Sequence, residues 1–295
     1  MKENKSDAGG KTMGLCTMKE LIDKAHKEKY AVPAFNVCNL ETIQGILECA
    51  EELHAPVILQ AHWLEAYYSS PKTVVAMIRS VAEGKNVQYA IHLDHGATYE
   101  DTMRCVQGGF TSVMYDGSQL PLDENIKNLQ KVCEMAKAVG VTVEGEIGTI
   151  GQTSEMGEVL ERVYLTDPGE AARLSRETGI DCLAVAIGNA HGFYKQEPKL
   201  DFERLAEIAS VVEVPLVLHG GTGIPCDQIQ KAITMGISKI NFSSVLRKAF
   251  LSSVGEFLKE DPDTIEFMDV MRKGKEALKE AAKNSMEMCM CCNRC

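Results

Sequence analysis

The stretch Val87-Gln88-Tyr89-Ala90-Ile91-His92-Leu93-Asp94-His95-Gly96 holds an apolar strand candidate, Val87–Asp94, that runs out into a histidine and a glycine. Alternation along a strand places Ala90, His92 and Asp94 on one face and Ile91 and Leu93 on the other. Segments of the same kind recur at Tyr30–Val37, Pro56–Gln60, Phe110–Tyr115, Val141–Ile147, Cys182–Ile187, Pro215–His219 and Ser238–Phe242. Helical patterns lie between them. Ile43, Ile46, Leu47, Ala50 and Leu53 fall at helical spacing, as do Ile126, Leu129, Val132, Cys133 and Ala136. Asp167-Pro168-Gly169-Glu170 supplies an N-cap, a first-turn proline and an acid at the third helical position, and Gly179 closes that helix. Similar punctuation recurs at Asp201 and Gly236. About eight βα units in one uninterrupted chain predict a single-domain α/β fold, a closed (β/α)8 TIM barrel, ahead of an open doubly wound sheet.

The 295 residues would hold two average domains, but α/β barrels use roughly 250 residues as one. We therefore expect an N-terminal extension over 1–17, one barrel domain over 18–285 with C-terminal outer helices, and a Cys-rich tail over 286–295. The stretch from Thr264 to Asn284 reads as an amphipathic outer helix. With 45% hydrophobic and 25% charged residues, the composition excludes disorder, collagen and coiled coil. A formal charge of −11 provides no general field for nucleic acid or anionic lipid, so neither is an expected partner. Met1 to Lys11 lack the apolar core of a secretory signal, and no run approaches a membrane span, so a cytoplasmic location is expected. Seven of the 11 cysteines precede the tail, mostly in apolar surroundings typical of reduced core thiols.

In a barrel of this kind catalytic residues sit at the C-terminal ends of strands. Asp94 and His95 end the third strand candidate, Glu146 ends the fifth, His191 follows the sixth and His219 ends the seventh. Three imidazoles with a carboxylate in reserve match a catalytic Zn²⁺ site that keeps one position open. His92, a turn deeper, reads as structural, and His26 and His54 as helix-surface residues. The seventh strand runs into His219-Gly220-Gly221-Thr222-Gly223-Ile224-Pro225 and then a helix. Glycines there let backbone N–H groups approach an anion, and the helix dipole adds to this. Asn241, Ser243 and Ser244 stand ready to complete the pocket and Lys195 to supply a charge, although Lys195 also reads as a solvated loop lysine.

HLDHG at His92–Gly96, EGEIGTIG at Glu144–Gly151, GNAHGFYK at Gly188–Lys195, LHGGTGIP at Leu218–Pro225 and KINFSS at Lys239–Ser244 resemble the class II, metal-dependent ketose-bisphosphate aldolases. So do AFNVCNLET at Ala34–Thr42 and VMYDGSQLPLDENI at Val113–Ile126. The resemblance spans nearly the whole chain, in order. It implies a (β/α)8 barrel, a homodimer or homotetramer, that makes or cleaves a carbon–carbon bond in a phosphorylated ketose such as fructose or tagatose bisphosphate. Dihydroxyacetone phosphate is the usual nucleophile, reacting as its Zn-stabilised enediolate. By the same resemblance His95, His191 and His219 would bind Zn²⁺, with Glu146 as an alternate or supporting ligand. Asp94 would exchange the proton of the hydroxyl at the breaking bond. Gly192, Lys195, Gly220, Gly221, Thr222, Asn241, Ser243 and Ser244 would surround the phosphate and a monovalent cation, Na⁺ or K⁺, and Asn36 would touch the substrate. The residues agree with that chemistry, since a class I enzyme would need a Schiff-base lysine and the sixth strand here leads to Asn189-Ala190-His191.

The chain also departs from the family pattern. Where the loop after strand five usually reads Gly-Gly-x-Glu-Asp, this chain has Gly151-Gln152-Thr153-Ser154-Glu155, so Ser154 stands in place of a proton-transferring acid. A serine is poorly matched to that task at neutral pH; Glu155 or Glu158 would have to serve, or the step would weaken. After strand two, Gln60-Ala61-His62-Trp63 replaces a small hydroxyl residue, which points either to a different far end of the substrate or to Trp63 packing at the rim. Val245 stands where an acid is common, and Tyr115 and Gln119 replace an Ile and a His. The tail Cys289-Met290-Cys291-Cys292-Asn293-Arg294-Cys295 departs most, and reads as a mobile, oxidisable segment ahead of a soft-metal site. The alternative to an aldolase is a catalytically weakened sugar-phosphate-binding paralogue that retains the metal and phosphate sites. A metal-dependent hydrolase barrel would carry paired histidines on its first strand, and Tyr30–Val37 has none.

Overall fold

Every expected strand segment forms a strand in the computed structural model, which describes residues 14–152 and 164–295. The barrel strands are β1 (Val32–Asn36), β2 (Val57–His62), β3 (Gln88–Gly96), β4 (Ser112–Tyr115), β5 (Thr142–Ile147), β6 (Cys182–Val185), β7 (Leu216–Leu218) and β8 (Ile237–Phe242). All are parallel, in the order β3-β2-β1-β8-β7-β6-β5-β4, and pairing of β3 with β4 closes the circle. The (β/α)8 expectation is met. All five residues of β1 and all six of β5 and β8 are buried, as strands between a filled interior and an outer layer of helices must be.

Local signals account for the helix starts. Thr17, Asn39 and Thr98 each form a reciprocal capping box, and Asp167 accepts the backbone N–H of Glu170 with Pro168 at the first helical position. Gly179 takes the left-handed conformation that ends this helix, as its position in the sequence predicts.

The last two helices, Ser244–Glu260 and Phe267–Met288, pack on each other and the second lies on the Leu40–Glu52 helix. Gly274 permits the first contact, because a Cβ there would lie 2.6 Å from the Phe250 ring. The tail expectation needs correcting: these cysteines are docked, not mobile. Cys289 and Cys291 are fully buried. The Ala31 N–H donates to the Cys289 carbonyl at 3.0 Å, Asn293 N–H to Leu53 O at 2.9 Å, and the N–H groups of Arg294 and Cys295 to His54 O at 3.0 Å. The tail thus docks beside the residues that lead into β1 and β2, held by apolar burial and backbone pairing. Among the described residues, no group of ligand atoms close enough to share a metal includes a cysteine.

Candidate active site

A β-bulge decides the geometry of the rim. The register runs Leu93 to Val113 and then Gly96 to Tyr115, so β3 carries one residue more than β4 across this interval. His95 takes a positive φ of 50° at that point. Simple alternation would turn Asp94 and His95 to opposite faces; with the bulge, both line the same cavity. Asn189 fixes the neighbouring strand ends, accepting the Ile187 N–H at 2.9 Å and donating to the His219 carbonyl at 3.0 Å. His191 lies on a short strand, Ala190–His191, paired with Gly151–Gln152.

His95, His191 and His219 converge, with ligand atoms within 4.8 Å of one another. His95 Nδ1 lies 2.8 Å from Asp116 Oδ2, and His219 Nε2 lies 2.8 Å from Glu144 Oε1. With an N–H directed to each carboxylate, the remaining nitrogens, His95 Nε2 and His219 Nδ1, present lone pairs to each other across 3.1 Å. These tautomers follow from the hydrogen-bond partners. Two facing lone pairs need a shared cation, either a proton or a metal.

The surrounding charge points the same way. Burial opposes charge on His95, yet Asp94, Asp116 and Glu146 push it up to about 10. Burial, with His95 and His219 nearby, pushes His191 down to about 3. Burial, Asp116 and Glu144 push Glu146 well above the usual carboxylate range, and its Oε2 has no hydrogen-bond partner among the described residues. That oxygen is 3.7 Å from His219 Nδ1 and 4.0 Å from His95 Nδ1. An excess of buried carboxylates balanced by protons is the environment a dication would occupy with release of those protons. The donor set of three imidazoles and a reserve carboxylate fits Zn²⁺ with an open position.

Asp94 is buried beside this centre, its Oδ1 3.8 Å from His95 Nε2. Burial disfavours its charge, but His95, His219 and Lys239 hold its carboxyl well below the usual range. Asn241 Nδ2 donates to Oδ1 and Asn36 Nδ2 to Oδ2, both at 3.1 Å. Beneath, fully buried Lys239 reaches Glu144 Oε2 at 2.9 Å and Asn241 Oδ1 at 2.7 Å. It therefore braces both the histidine-bearing carboxylate and the asparagine on Asp94. His92 fills the same layer, with Nδ1 2.9 Å from Ser112 Oγ and Nε2 3.4 Å from Glu144 Oε2.

The cavity over these groups holds about 450 Å³, within the range of small-molecule sites. Of the expected residues it is lined by Asn36, Asp94, His95, Glu146, His191, Gly192, Gly220, Thr222, Asn241, Ser243 and Ser244. His219 is fully buried directly behind His95. Lys195 and Gly221 are not among the described lining residues. The Gly221 N–H is already donated to the Asn241 carbonyl at 2.9 Å, which ties the β7 exit to β8. Gly220, at φ 65°, must be glycine, since a Cβ would lie 2.1 Å from the Ala190 carbonyl oxygen. Ser154, Glu155 and Glu158 lie outside the described residues.

Sequence reasoning passed over Asp116, Glu144, Lys239, Glu65 and Arg247. Glu144 shares strand parity with Glu146 and Lys239 with Asn241, a signal that would have placed both inside the barrel. Asp116 directly follows β4. Glu65 and Arg247 carry no such signal, because their pairing is distant in sequence. His62 and Trp63 do line the cavity, and Trp63 also packs edge-on against Tyr67 with centroids 6.3 Å apart. Tyr115 is repacked locally, its hydroxyl accepting from Asn128 Nδ2 at 2.8 Å, and Val245 donates its N–H to Thr222 Oγ1 at 3.3 Å.

Comparison with known proteins agrees with this fold. The family described as "Fructose-bisphosphate aldolase class-II" matches residues 16–294, a span that includes most of the C-terminal tail. A fructose-bisphosphate aldolase of Geobacillus stearothermophilus is 44% identical over 277 residues, covering 93% of this chain and 96% of that protein. The crystal structure of the YdjI aldolase from Escherichia coli K12 superposes with a TM-score of 0.84 at 32% identity, over 95% of this chain and 99% of that one. A fructose-bisphosphate aldolase (Fba) from Campylobacter jejuni, at 23% identity and a TM-score of 0.81 over 96% and 97% of the two chains, shares the fold.

Proposed function

The chain belongs to the class II fructose-bisphosphate aldolase family, and from that premise we propose that it is a Zn²⁺-dependent aldolase cleaving or forming a carbon–carbon bond in a phosphorylated ketose, with dihydroxyacetone phosphate as one product. The observation that carries this reading is the pair of imidazole nitrogens facing each other across 3.1 Å, each ring backed by a carboxylate. His95, His191 and His219 would hold the metal, and Glu146, with an unpartnered oxygen directed at them, would support it. A metal bound there supplies Lewis-acid stabilisation for the negative charge that bond cleavage leaves on the ketone fragment.

The protein's own groups do the rest. Asp94, ionised and steadied on both oxygens by Asn36 and Asn241, accepts the proton of the hydroxyl at the breaking bond and returns it in the condensation direction. Asp116 and Glu144 orient the rings of His95 and His219 through their second nitrogens. Gly192, Gly220, Thr222, Ser243 and Ser244 line the side of the cavity formed by the loops after β6, β7 and β8, which supports placing the phosphate there, with a monovalent cation, Na⁺ or K⁺. Eleven cysteines with no disulfide among the described residues fit a cytoplasmic protein, and no helix among those residues is long and apolar enough to cross a membrane. Exposed Leu251, Ile265, Phe267 and Met268, on and between the last two helices, support a homodimer or homotetramer.

The test is release of triose phosphate from a panel of ketose phosphates. Turnover that falls by about 10²–10⁴-fold in Asp94→Ala is the expected result, the magnitude typical of losing a positioned acid–base group. Binding of the whole panel without turnover would instead favour a sugar-phosphate-binding paralogue, the outcome to which Ser154 draws notice.

A further inference from the structure

Arg247 and Glu65 meet at the edge of the cavity, over the ends of β8, β1 and β2. Arg247 stands in the first turn of the helix after β8 and Glu65 in the first turn of the helix after β2, so the pair reaches across the end of β1 above Asn36. Arg247 lines the cavity, and its Nη2 is in direct contact with Glu65 Oε1. The second oxygen of Glu65 accepts the His62 N–H at 2.9 Å and Asn36 Nδ2 at 3.2 Å. Glu65 is therefore built in. Its side chain is 15% exposed, and both oxygens are bonded, whereas the Arg247 side chain is 54% exposed.

We propose that the Glu65–Arg247 pair determines what the aldehyde end of the substrate can be: an uncharged polyhydroxy chain rather than a second phosphate. This rests on the aldolase reading above, in which the ketose runs from the phosphate side, past the histidines, to Asp94 at the breaking bond. Beyond Asp94 lie Asn36, His62, Trp63 and the ion pair. Among the described residues lining the cavity, Arg247 supplies the guanidinium, and a carboxylate of the chain already holds it. A phosphate arriving there must pull Arg247 from Glu65, leaving that carboxylate without its countercharge while its neighbour Asn36 also holds the ionised Asp94. A hydroxylated chain meets no such penalty, and the Trp63 ring and the His62 imidazole offer it an apolar face and a polar edge.

The experiment has a kinetic and a binding arm. In the first, kcat/KM of the Zn-loaded protein is measured for a ketohexose 1-phosphate and the matching 1,6-bisphosphate, in wild type, Glu65→Gln, and Glu65→Gln combined with Arg247→Met. In the second, calorimetry gives the affinities of the same proteins for a hexitol 1-phosphate and a hexitol 1,6-bisphosphate, which lack the ketone and cannot be cleaved. Wild type is expected to favour the monophosphate at least tenfold in both arms. Glu65→Gln should move that ratio at least tenfold toward the bisphosphate, and adding Arg247→Met should cancel the gain. A wild-type preference for the bisphosphate, or a ratio unmoved by Glu65→Gln, overturns the proposal. If Glu65→Gln does not fold, the wild-type binding ratio decides, and equal affinities reject it. Absence of cleavage of either sugar, with the binding order as expected, would remove the aldolase reading and leave the selectivity of the pair standing.

Discussion

Asp116 and Glu144 touch no substrate in this reading, yet each holds the ring nitrogen opposite one that faces the metal position. Replacing either by its amide keeps the shape and alters the tautomer and basicity of the histidine. Asp116→Asn and Glu144→Gln should each weaken Zn²⁺ affinity about 10–100-fold, as loss of such outer partners commonly does. Competition with a chromophoric chelator measures this directly, and unchanged affinity in both variants would show that the carboxylates are bystanders. At this scale Asp94, His95, His191, His219 and Glu146 were readable because they stand at or next to strand ends. The direction of His95 was not readable, since strict alternation turns it outward and only the extra residue at Asp94–His95 brings it in. Glu65 and Arg247 were hidden for a related reason: they are 182 residues apart, and only barrel closure makes them neighbours.

Among the elements, the strands were read to within two residues at each end, because apolar runs bounded by turn residues are local signals. The tail was misread for a physical reason. Four cysteines in seven residues look like a reactive or metal-binding cluster, whereas Cys289 and Cys291 are core residues that a distant strand and a helix end bury. Burial pushes both thiols well above their ordinary range. Since the thiolate is the reacting species, alkylation of the native protein should reach exposed Cys226 first, then Cys38, whose thiol burial pushes up, Cys292 and Cys295 more slowly, and Cys289 and Cys291 only on unfolding. Peptide mass spectrometry of a time course reads the order. Labelling of Cys289 as fast as Cys226 would mean that the tail is undocked in solution.

Across the whole molecule, the proposed function asks a chain of net charge −11 to hold an anionic substrate. The barrel provides a confined site for it: glycine-rich backbone and serines on one side of the cavity, three imidazoles and buried carboxylates at its floor, and a neutralised arginine at the edge. The fold supplies this by bringing the ends of strands that are remote in sequence to one rim, while the tail docks at the strand starts. The most direct measurement is a Zn²⁺ titration of chelator-stripped protein, following triose phosphate released from the best ketose phosphate of the panel. The expected result is a rate at least about a hundredfold below the loaded enzyme when stripped, rising linearly to a plateau at one Zn²⁺ per chain, and no such recovery in His219→Ala. Equal rates with and without metal, or full recovery in His219→Ala, would contradict a three-histidine metal centre as the seat of the aldol chemistry.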